Sequence, residues 1–484
     1  MVKSASWAAE GGPEAARLEG MSGRWLNLPS ALELLRCGVE LVDENGAGAW
    51  WGYVSAVEMR AGHMSVKADL DLMSNRVKLN YTRLPLESNT WIPQHLETSW
   101  SDALVSQGIY GVKEKIVTLP ATSYSQALST QLLELNNYAW PLARPIMDAG
   151  SRAGWDVAFT LKGWWSTLGW RYYSQTDGII ENLYEDPNFQ DSGAAAGNMN
   201  LYQSFTVGAL GLKVGSVWLK LNTAGAPGDN LQVDICADNA GAPGASQGST
   251  TIVGSSISHT FGWYGFILSP LTLAAGSWWI WIHRTGASNG SNYYRVKLEQ
   301  YCLYTGGVCW LGAGLRAPAA DLIFRVLGGV ETTAQAVDMA SVGAGGQFLA
   351  GVRLMTTSGI YANQFRLGTT TALEEIQKIL AAGNSSGIRL LGQVTQDRYL
   401  NIYLQPDSSI ANLAISRDGV ILDQAGRPLP AWKPAAGQWA KVSGAWSELG
   451  AINHQIVDRV LLERVEYEPI SGALVVGAMG CSPS

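Results

Sequence analysis

Six short stretches between residues 216 and 299 follow one another at close intervals: "SVWLKLNT", "NLQVDICAD", "TTIVGSSIS", "WYGFILS", "SWWIWIHR" and "NYYRVKLE". Each alternates apolar and polar side chains or runs on β-branched and aromatic residues. Turn chemistry such as "AGAPGDN" and "NAGAPGAS" separates them. Period-two patterning broken by Gly, Pro and Asn predicts strands joined by tight turns, hence an antiparallel sandwich rather than a helical or parallel fold. The fifth stretch is the most demanding. In an extended chain Trp278, Ile280 and Ile282 share one face, and Trp279, Trp281 and His283 the other. The first face suits the core. The second needs protein cover, a partner subunit, or a sugar lying on a Trp platform.

Composition agrees with a β protein rich in interfaces. Only 15% of the 484 residues are charged, while Gly (55) and Trp (20) are abundant. The net charge of −7 and the lack of a Lys/Arg run argue against a nucleic-acid partner. The first twenty residues lack the apolar core of a signal peptide, and no apolar run reaches the roughly 18–20 residues of a membrane span. The expectation is a chain made in a cytoplasm, with no membrane span. Five cysteines do not make a disulfide scaffold. Cys302 and Cys309, in "YCLYTGGVCW", read as two buried thiols on paired strands, with a disulfide as the alternative.

Outside the sandwich the texture changes. "AWWGYVSAVEMRAGHMSVKADLDL" and "NRVKLNYTRL" read as strands. "SDALVSQGIYGVKEKIVTL" reads as a short helix, a Gly-bounded loop and a strand. A helix is predicted from an N-cap at Ser123, with Ala127, Leu128, Leu132, Leu133 and Leu135 as its apolar positions, ending before Pro141. A second helix, "TALEEIQKILAAG", has Thr371 as cap, Glu374 three residues on and Gly383 past its end. "GWWSTLGWRYYS" is read as strand. "IRLLGQVTQDRYLNIYLQP" and "NLAISRDGVILDQAGRPL" are read as hairpins, and "RVLLERVEYEPISGALVV" closes the chain. The parts before and after the sandwich have a similar order, which suggests a duplicated barrel-plus-helix unit.

Reactive chemistry is scarce. His63, His95, His259, His283 and His454 show no HExxH or HxH spacing, and there is no G-x-S-x-G elbow or P-loop. Asp156, Asp177, Glu181, Glu185 and Asp186 are the carboxylates near aromatics. They read as a solvated linker, with calcium binding or glycosidase chemistry as alternatives. No catalytic residue, metal or cofactor is assigned.

The stretches "AWWGYVSAVEMRAGHMSVKADLDLMSNRVKLNYT", "SDALVSQGIYGVKEKIVTL", "GWWSTLGWRYYS", "TTALEEIQKIL" and "LLGQVTQDRYLNIY" follow an order that resembles the tail-hub or baseplate-hub proteins of long-tailed phages. In that resemblance the inserted α+β module carries a Tyr-Gly-basic/acidic turn, here Tyr110, Gly111, Lys113 and Glu114. "VWLKLNTAGAPGDNLQVDICADNAGAPG" with "LAAGSWWIWIHRTGASNGSNYYRV" resembles the carbohydrate-binding-like jelly-roll modules of phage tails and bacterial surface proteins. The resemblance implies a structural virion component, not an enzyme. It would be a homotrimer whose two barrels per chain form a pseudo-sixfold ring on the tail tube, contacting tube, distal-tail and fibre proteins, with the sandwich projecting toward the host.

The expected class is mainly β (α+β), with two hub-type units and an inserted jelly-roll-like sandwich. The expected segments are 1–87, completed by 152–182, as a first barrel; 88–151 as an α+β module; 183–300 as the sandwich; 301–395 as a second α+β unit; and 396–484 as a C-terminal barrel. The alternative function is a glycan-binding adhesin or tail-fibre-type receptor-binding protein, and behind it a polysaccharide-degrading enzyme. The glycan platform would be Trp263, Tyr264, Trp279, Trp281 and Tyr293, with Asn289 and Asn292 as polar neighbours.

Overall fold

The computed structural model describes the chain except residues 21–27, 44, 62–63, 84–93, 121, 148–156, 175–178, 186, 313, 316–318, 344, 363–366, 408–410, 417–419, 430–435, 443–456, 470–472 and 484. The fold is mainly β, with antiparallel pairing dominant. The chain divides into two compact units. One comprises Met1–Tyr173, Ala336–Ser358 and Gly368–Ser484, and the other Ser174–Gln335 with Gly359–Leu367.

The second unit is the sandwich, and it takes in strands on both sides of 183–300. One sheet runs, edge to edge, Ala242–Val253, Asn230–Asn239, Gly276–Arg284, Asn200–Val207, Cys309–Leu311 and Gly314–Leu315. It is called the tryptophan sheet below. The facing sheet centres on Leu212–Ala224, which pairs with Phe324–Glu331, Tyr293–Glu299 and Gly262–Leu273. All six predicted strands are present, although "TTIVGSSIS" leaves its strand at Val253 for a 3₁₀ turn, Gly254–Ser256. The alternation holds as expected in Gly276–Arg284: Ile280 and Ile282 are fully buried in the core between the sheets, and Trp278 packs against that core. Leu201, Phe205, Leu231, Val233, Ile235, Val217, Leu219, Phe266 and Val296 fill the rest. Complete burial of one such side chain is worth roughly 1.5–3 kcal/mol.

Arg284 closes one end of this core. It donates to both carboxylate oxygens of Asp229, at 2.8 and 2.7 Å, and to the carbonyls of Gly193 and Asn292. Three loops are tied to one guanidinium. The bonds from Arg284 and from the Gly286 amide outweigh burial and hold the Asp229 carboxyl below its usual range.

Among the described residues the first unit shows no closed barrel, where two were expected. Its largest sheet is open and runs from Ala143–Met147 through Met64–Asp69, Gly48–Ala61, Val157–Lys162, Gly12–Gly20, Val2–Ala8, Val457–Glu468 and Trp439–Val442 to Leu413–Ile415 and Ile421–Leu422. The reason is the pairing of Ala5–Ala8 with Arg464–Tyr467. It joins the strands expected to close separately, and no described pairing links the two ends of the sheet.

"WWSTLGW" is a 3₁₀ helix, Trp164–Trp170, not a strand. Gly163 lies so close to the Pro13 carbonyl that a Cβ there would come within 1.7 Å of it. The turn is closed by Ser166 N–H on the Gly163 carbonyl and the Thr167 hydroxyl on the Trp164 carbonyl. Its tryptophans go into the core with Trp50, Tyr53 and Leu161.

Both predicted helices form, Tyr124–Tyr138 and Ala372–Ala382, each with a complete capping box. In the first, however, the buried positions are Ala127 and Gln131, and Leu132 and Leu133 are exposed. The Gln131 amide donates to the carbonyls of Val77 and Ser99, both at 2.7 Å, which ties the helix to the sheet beneath it.

Candidate functional site

On the outer face of the tryptophan sheet, strand register lines up side chains from three neighbouring strands. Tyr202 stands opposite Trp281, and Trp281 opposite Asp234. One rung along, Asn200 faces His283, and His283 faces Gln232. On the other flank Tyr202 faces Trp310. Half-buried rings thus form a row. Trp281 stacks on His283 with centroids 4.2 Å apart and on Tyr202 at 5.7 Å. Trp279 meets Trp310 edge to face at 5.3 Å.

A polar network holds the row. His283 Nε2 lies 2.9 Å from Asp234 Oδ2. The Ser246 hydroxyl and the Gln232 amide donate to the same carboxylate, at 2.8 and 3.0 Å. Burial acts to raise the Asp234 pKa, but these bonds outweigh it and hold the carboxyl below its ordinary range. Trp281 Nε1 donates to Asn200 Oδ1 at 3.1 Å. Burial, helped by the nearby Asp234, pushes the Tyr202 phenol up, so it stays a neutral hydroxyl at physiological pH. The Trp310 indole N–H is buried and finds no acceptor among the described residues. Asp234, Tyr202, Asn200 and Trp310 did not emerge from the sequence reading. The alternation of "NLQVDICAD" already put Gln232, Asp234 and Cys236 on one face, a signal that was available.

The five platform residues do not share one surface. Trp281 lies at the centre of the row. Trp279 is 1% exposed, with Nε1 donating to Asp238 Oδ1 at 2.8 Å. The other three are on the facing sheet. Trp263 lies under the Arg325 guanidinium, and the Tyr293 hydroxyl accepts from Arg295. Tyr264 packs against the core, its hydroxyl accepting from the Ser258 amide. Asn289 and Asn292 bind loop backbone through Ser291 N, Asn292 N and Ala226 N.

Other candidates have structural partners. Glu181 pairs with Arg325, and Glu185 with Lys220. Asp156, Asp177 and Asp186 lie outside the described residues, as do His63 and His454. Cys302 and Cys309 are not joined in a disulfide: Cys309 is buried and Cys302 exposed. Cys236 stands opposite Trp279 on the neighbouring strand, and burial pushes its thiol up to about 12, which leaves it unreactive. No group of three or more His, Cys, Asp or Glu side chains that could hold a metal occurs among the described residues.

The Tyr110–Glu114 turn is a packing device. Asn75 is fully buried; it donates to the Gly111 carbonyl and accepts from Lys113 N. Glu114 takes Arg76, Arg171 and the Tyr172 amide. Burial lowers the Lys113 ammonium to about 8, and that group donates to the Leu70 carbonyl.

No family model and no curated protein matches the sequence. Among solved structures, the clostridial cysteine protease Cwp84 aligns at 12% identity and TM-score 0.23, over 36% of this chain and 43% of that one. A carbohydrate-binding module, CBM36 in complex with calcium and xylotriose, aligns at 13% and 0.14, over 26% of this chain and 89% of the module. The VP2 subviral particle of infectious bursal disease virus aligns at 9% and 0.19, over 68% and 76%. The chain thus spans less than half the length of the clostridial protease it matches. Likenesses this distant identify no function.

Proposed function

We propose that the sandwich is a glycan-binding module and that its recognition surface is the ring row around Trp281 and Tyr202. The observation that carries this reading is the outward row itself: half-buried aromatic rings, held by side-chain hydrogen bonds, on the face of the sheet turned away from the core. Aromatic surface beside a few fixed polar groups is the chemistry that takes a sugar's C–H face and its hydroxyls together. Trp281 already stacks on His283 and Tyr202, so a saccharide lies across the row instead of inserting into it. Asn200 Nδ2, Gln232 Oε1 and the Tyr202 hydroxyl then face its hydroxyls. The test is a glycan array followed by titration calorimetry on the best ligand. Trp281→Ala should weaken binding at least tenfold, and undiminished binding by that variant would sink the proposal.

A second reading has its own support. Leu104 and Val105, on the helix Leu104–Tyr110, are 74% and 70% exposed, and Leu132 and Leu133 are 54% and 59% exposed. Apolar side chains this open favour burial against another protein. In this reading the chain is a structural subunit of a phage tail tip. It assembles with copies of itself into a ring, and the sandwich meets the host surface. Size-exclusion chromatography with light scattering on the full chain decides it. A trimer that Val105→Asp dissociates supports the ring; a wild-type monomer at micromolar concentration ends it.

A further inference from the structure

We propose that the first unit carries a separate binding site for an acidic saccharide, in a cleft between the turn that carries Arg36 and the hairpin turn that carries Arg398. The cleft has a volume of about 620 Å³ and is lined by half-buried Trp51, with the buried Trp164 and Phe348 at its floor.

The backbone at the two arginines is the first observation. Among the described residues only four non-glycine residues have positive φ: Arg36 (72°), Ala240, Cys302 and Arg398 (64°). Two of the four line this one cleft. Arg36 follows the short helix Leu28–Glu33, and Arg398 closes the turn between strands Leu390–Val394 and Tyr399–Leu404. Glycine is the residue that such positions ordinarily take, because it has no Cβ to crowd the left-handed backbone. Arginine gains nothing for the backbone there. What the position keeps is the guanidinium, and strained residues of this kind gather where a ligand is held.

The second observation is charge. Other arginines of this unit are neutralised: Arg353 by Asp397, Arg389 by Glu463 and Arg427 by Asp423. No described carboxylate pairs with Arg36 or Arg398. Arg398 lies over the Trp164 ring at 5.6 Å, which holds the guanidinium at the cleft wall without satisfying its charge. Glu40, also at the cleft, accepts from the Gln396 amide.

The third observation is the wall. Trp51 is half-buried, and its Nε1 is anchored on the Val394 carbonyl at 2.9 Å, so the ring is fixed in place. Two guanidinium groups with no ion-pair partner among the described residues suit a carboxylate, the fixed Trp51 ring suits a pyranose face, and Glu33 and Glu40, which line the same cleft, suit hydroxyls. A neutral sugar leaves both cations unused. A bare inorganic anion leaves the Trp51 face unused. A uronic-acid-bearing oligosaccharide uses all three.

The experiment titrates the full chain, by calorimetry and by saturation-transfer NMR, with a galacturonic acid trisaccharide, the neutral galactose trisaccharide and inorganic phosphate. The acidic trisaccharide should bind at least tenfold more tightly than the neutral one. Arg36→Gly and Arg398→Gly should each weaken it at least tenfold, with the melting temperature unchanged or higher, because glycine relieves the backbone at both positions. Trp281→Ala should leave this binding intact, which separates the cleft from the sandwich surface. The proposal is overturned by no binding of the acidic trisaccharide, by equal binding of the neutral one, or by phosphate binding as tightly. It is equally overturned if the glycine variants bind like wild type, or if binding is lost in Trp281→Ala.

Discussion

Four tryptophans of the first unit hydrogen-bond to the backbone. Trp7 donates to the Ala49 carbonyl, Trp50 to Ser6, Trp51 to Val394 and Trp439 to Pro406, at 2.8–3.2 Å. On the outer faces of the sandwich tryptophans bond to side chains instead: Trp279 to Asp238, Trp281 to Asn200, and Trp218 to Ser216. Core-facing Trp278 follows the first pattern, with its N–H on the Ala274 carbonyl. The distinction follows the face of the sheet rather than burial, since Trp279 is 1% exposed and bonds to a side chain while half-buried Trp51 bonds to a carbonyl. A carbonyl in a sheet or tight turn is fixed by the backbone and does not titrate. A side-chain acceptor can rotate toward a ligand, exchange with water, or change its charge. The first arrangement fixes the ring outright, and the second leaves an acceptor that can respond.

The largest test of that contrast compares two truncations. Trp50 is fully buried, so Trp50→Ala combines a lost ring with a cavity and should cost about 3–5 kcal/mol in denaturant unfolding. Trp281 is half-buried on an outer face, and Trp281→Ala should cost about 2 kcal/mol or less. Equal losses would mean that the ring row is core in all but position, and the contrast would fail.

Titration is the next lever, because only side-chain acceptors respond to pH. Inside the sandwich Gln203 donates to Asp321 at 3.1 Å, and Asp321 is 2% exposed. Burial is the main cause that raises its carboxyl from 3.8 to about 6, with Glu299 adding repulsion against the opposing bond from Gln203. The folded state therefore holds this proton more tightly than the unfolded chain does. The group weakens the fold at pH 7, and that penalty disappears as pH falls through 6 toward 4. Asp321→Asn should accordingly stabilise the sandwich by about 1–3 kcal/mol at pH 7 and by almost nothing at pH 4. The depressed carboxyls of Asp229 and Asp234 lose their contribution only below the ordinary value of 3.8, so they leave that window clear. A gain of the same size at both pH values would show that Asp321 is not the group responsible.

Local chemistry was easy to read in the sequence, and long-range assignment was not. The two faces of "SWWIWIHR" follow from period two, and the helices from Ser123 and Thr371 with their partners three residues on. The misreading of Trp164–Trp170 has a non-local cause: Gly163 is pressed against Pro13, some 150 residues away in sequence. The proposed platform divided because nothing local says which sheet a strand joins, so Trp263, Tyr264 and Tyr293 went to the sheet opposite Trp281. Gln131 took the buried place that its leucine neighbours were expected to fill, because two backbone carbonyls await a donor there. Arg36 and Arg398 were invisible for a related reason. A left-handed backbone at an arginine is imposed by the turn around it, and no residue-level pattern announces it.

The finest test separates two side-chain acceptors that look alike in a contact map. Asp238 and Asn200 each receive one indole N–H, at 2.8 and 3.1 Å. Trp279 is 1% exposed and donates to a charged acceptor, so Asp238→Ala should cost about 1–3 kcal/mol. Trp281 is half-buried, and water can replace Asn200, so Asn200→Ala should cost about 0.5 kcal/mol or less. The small stability change is the informative one. If Asn200 serves mainly to hold Trp281 at the angle a sugar meets, Asn200→Ala should weaken glycan binding severalfold while its unfolding curve nearly overlays wild type. If binding and stability fall together in proportion, the outer row is held as rigidly as the core, and the distinction between fixed and responsive acceptors loses its meaning at this site.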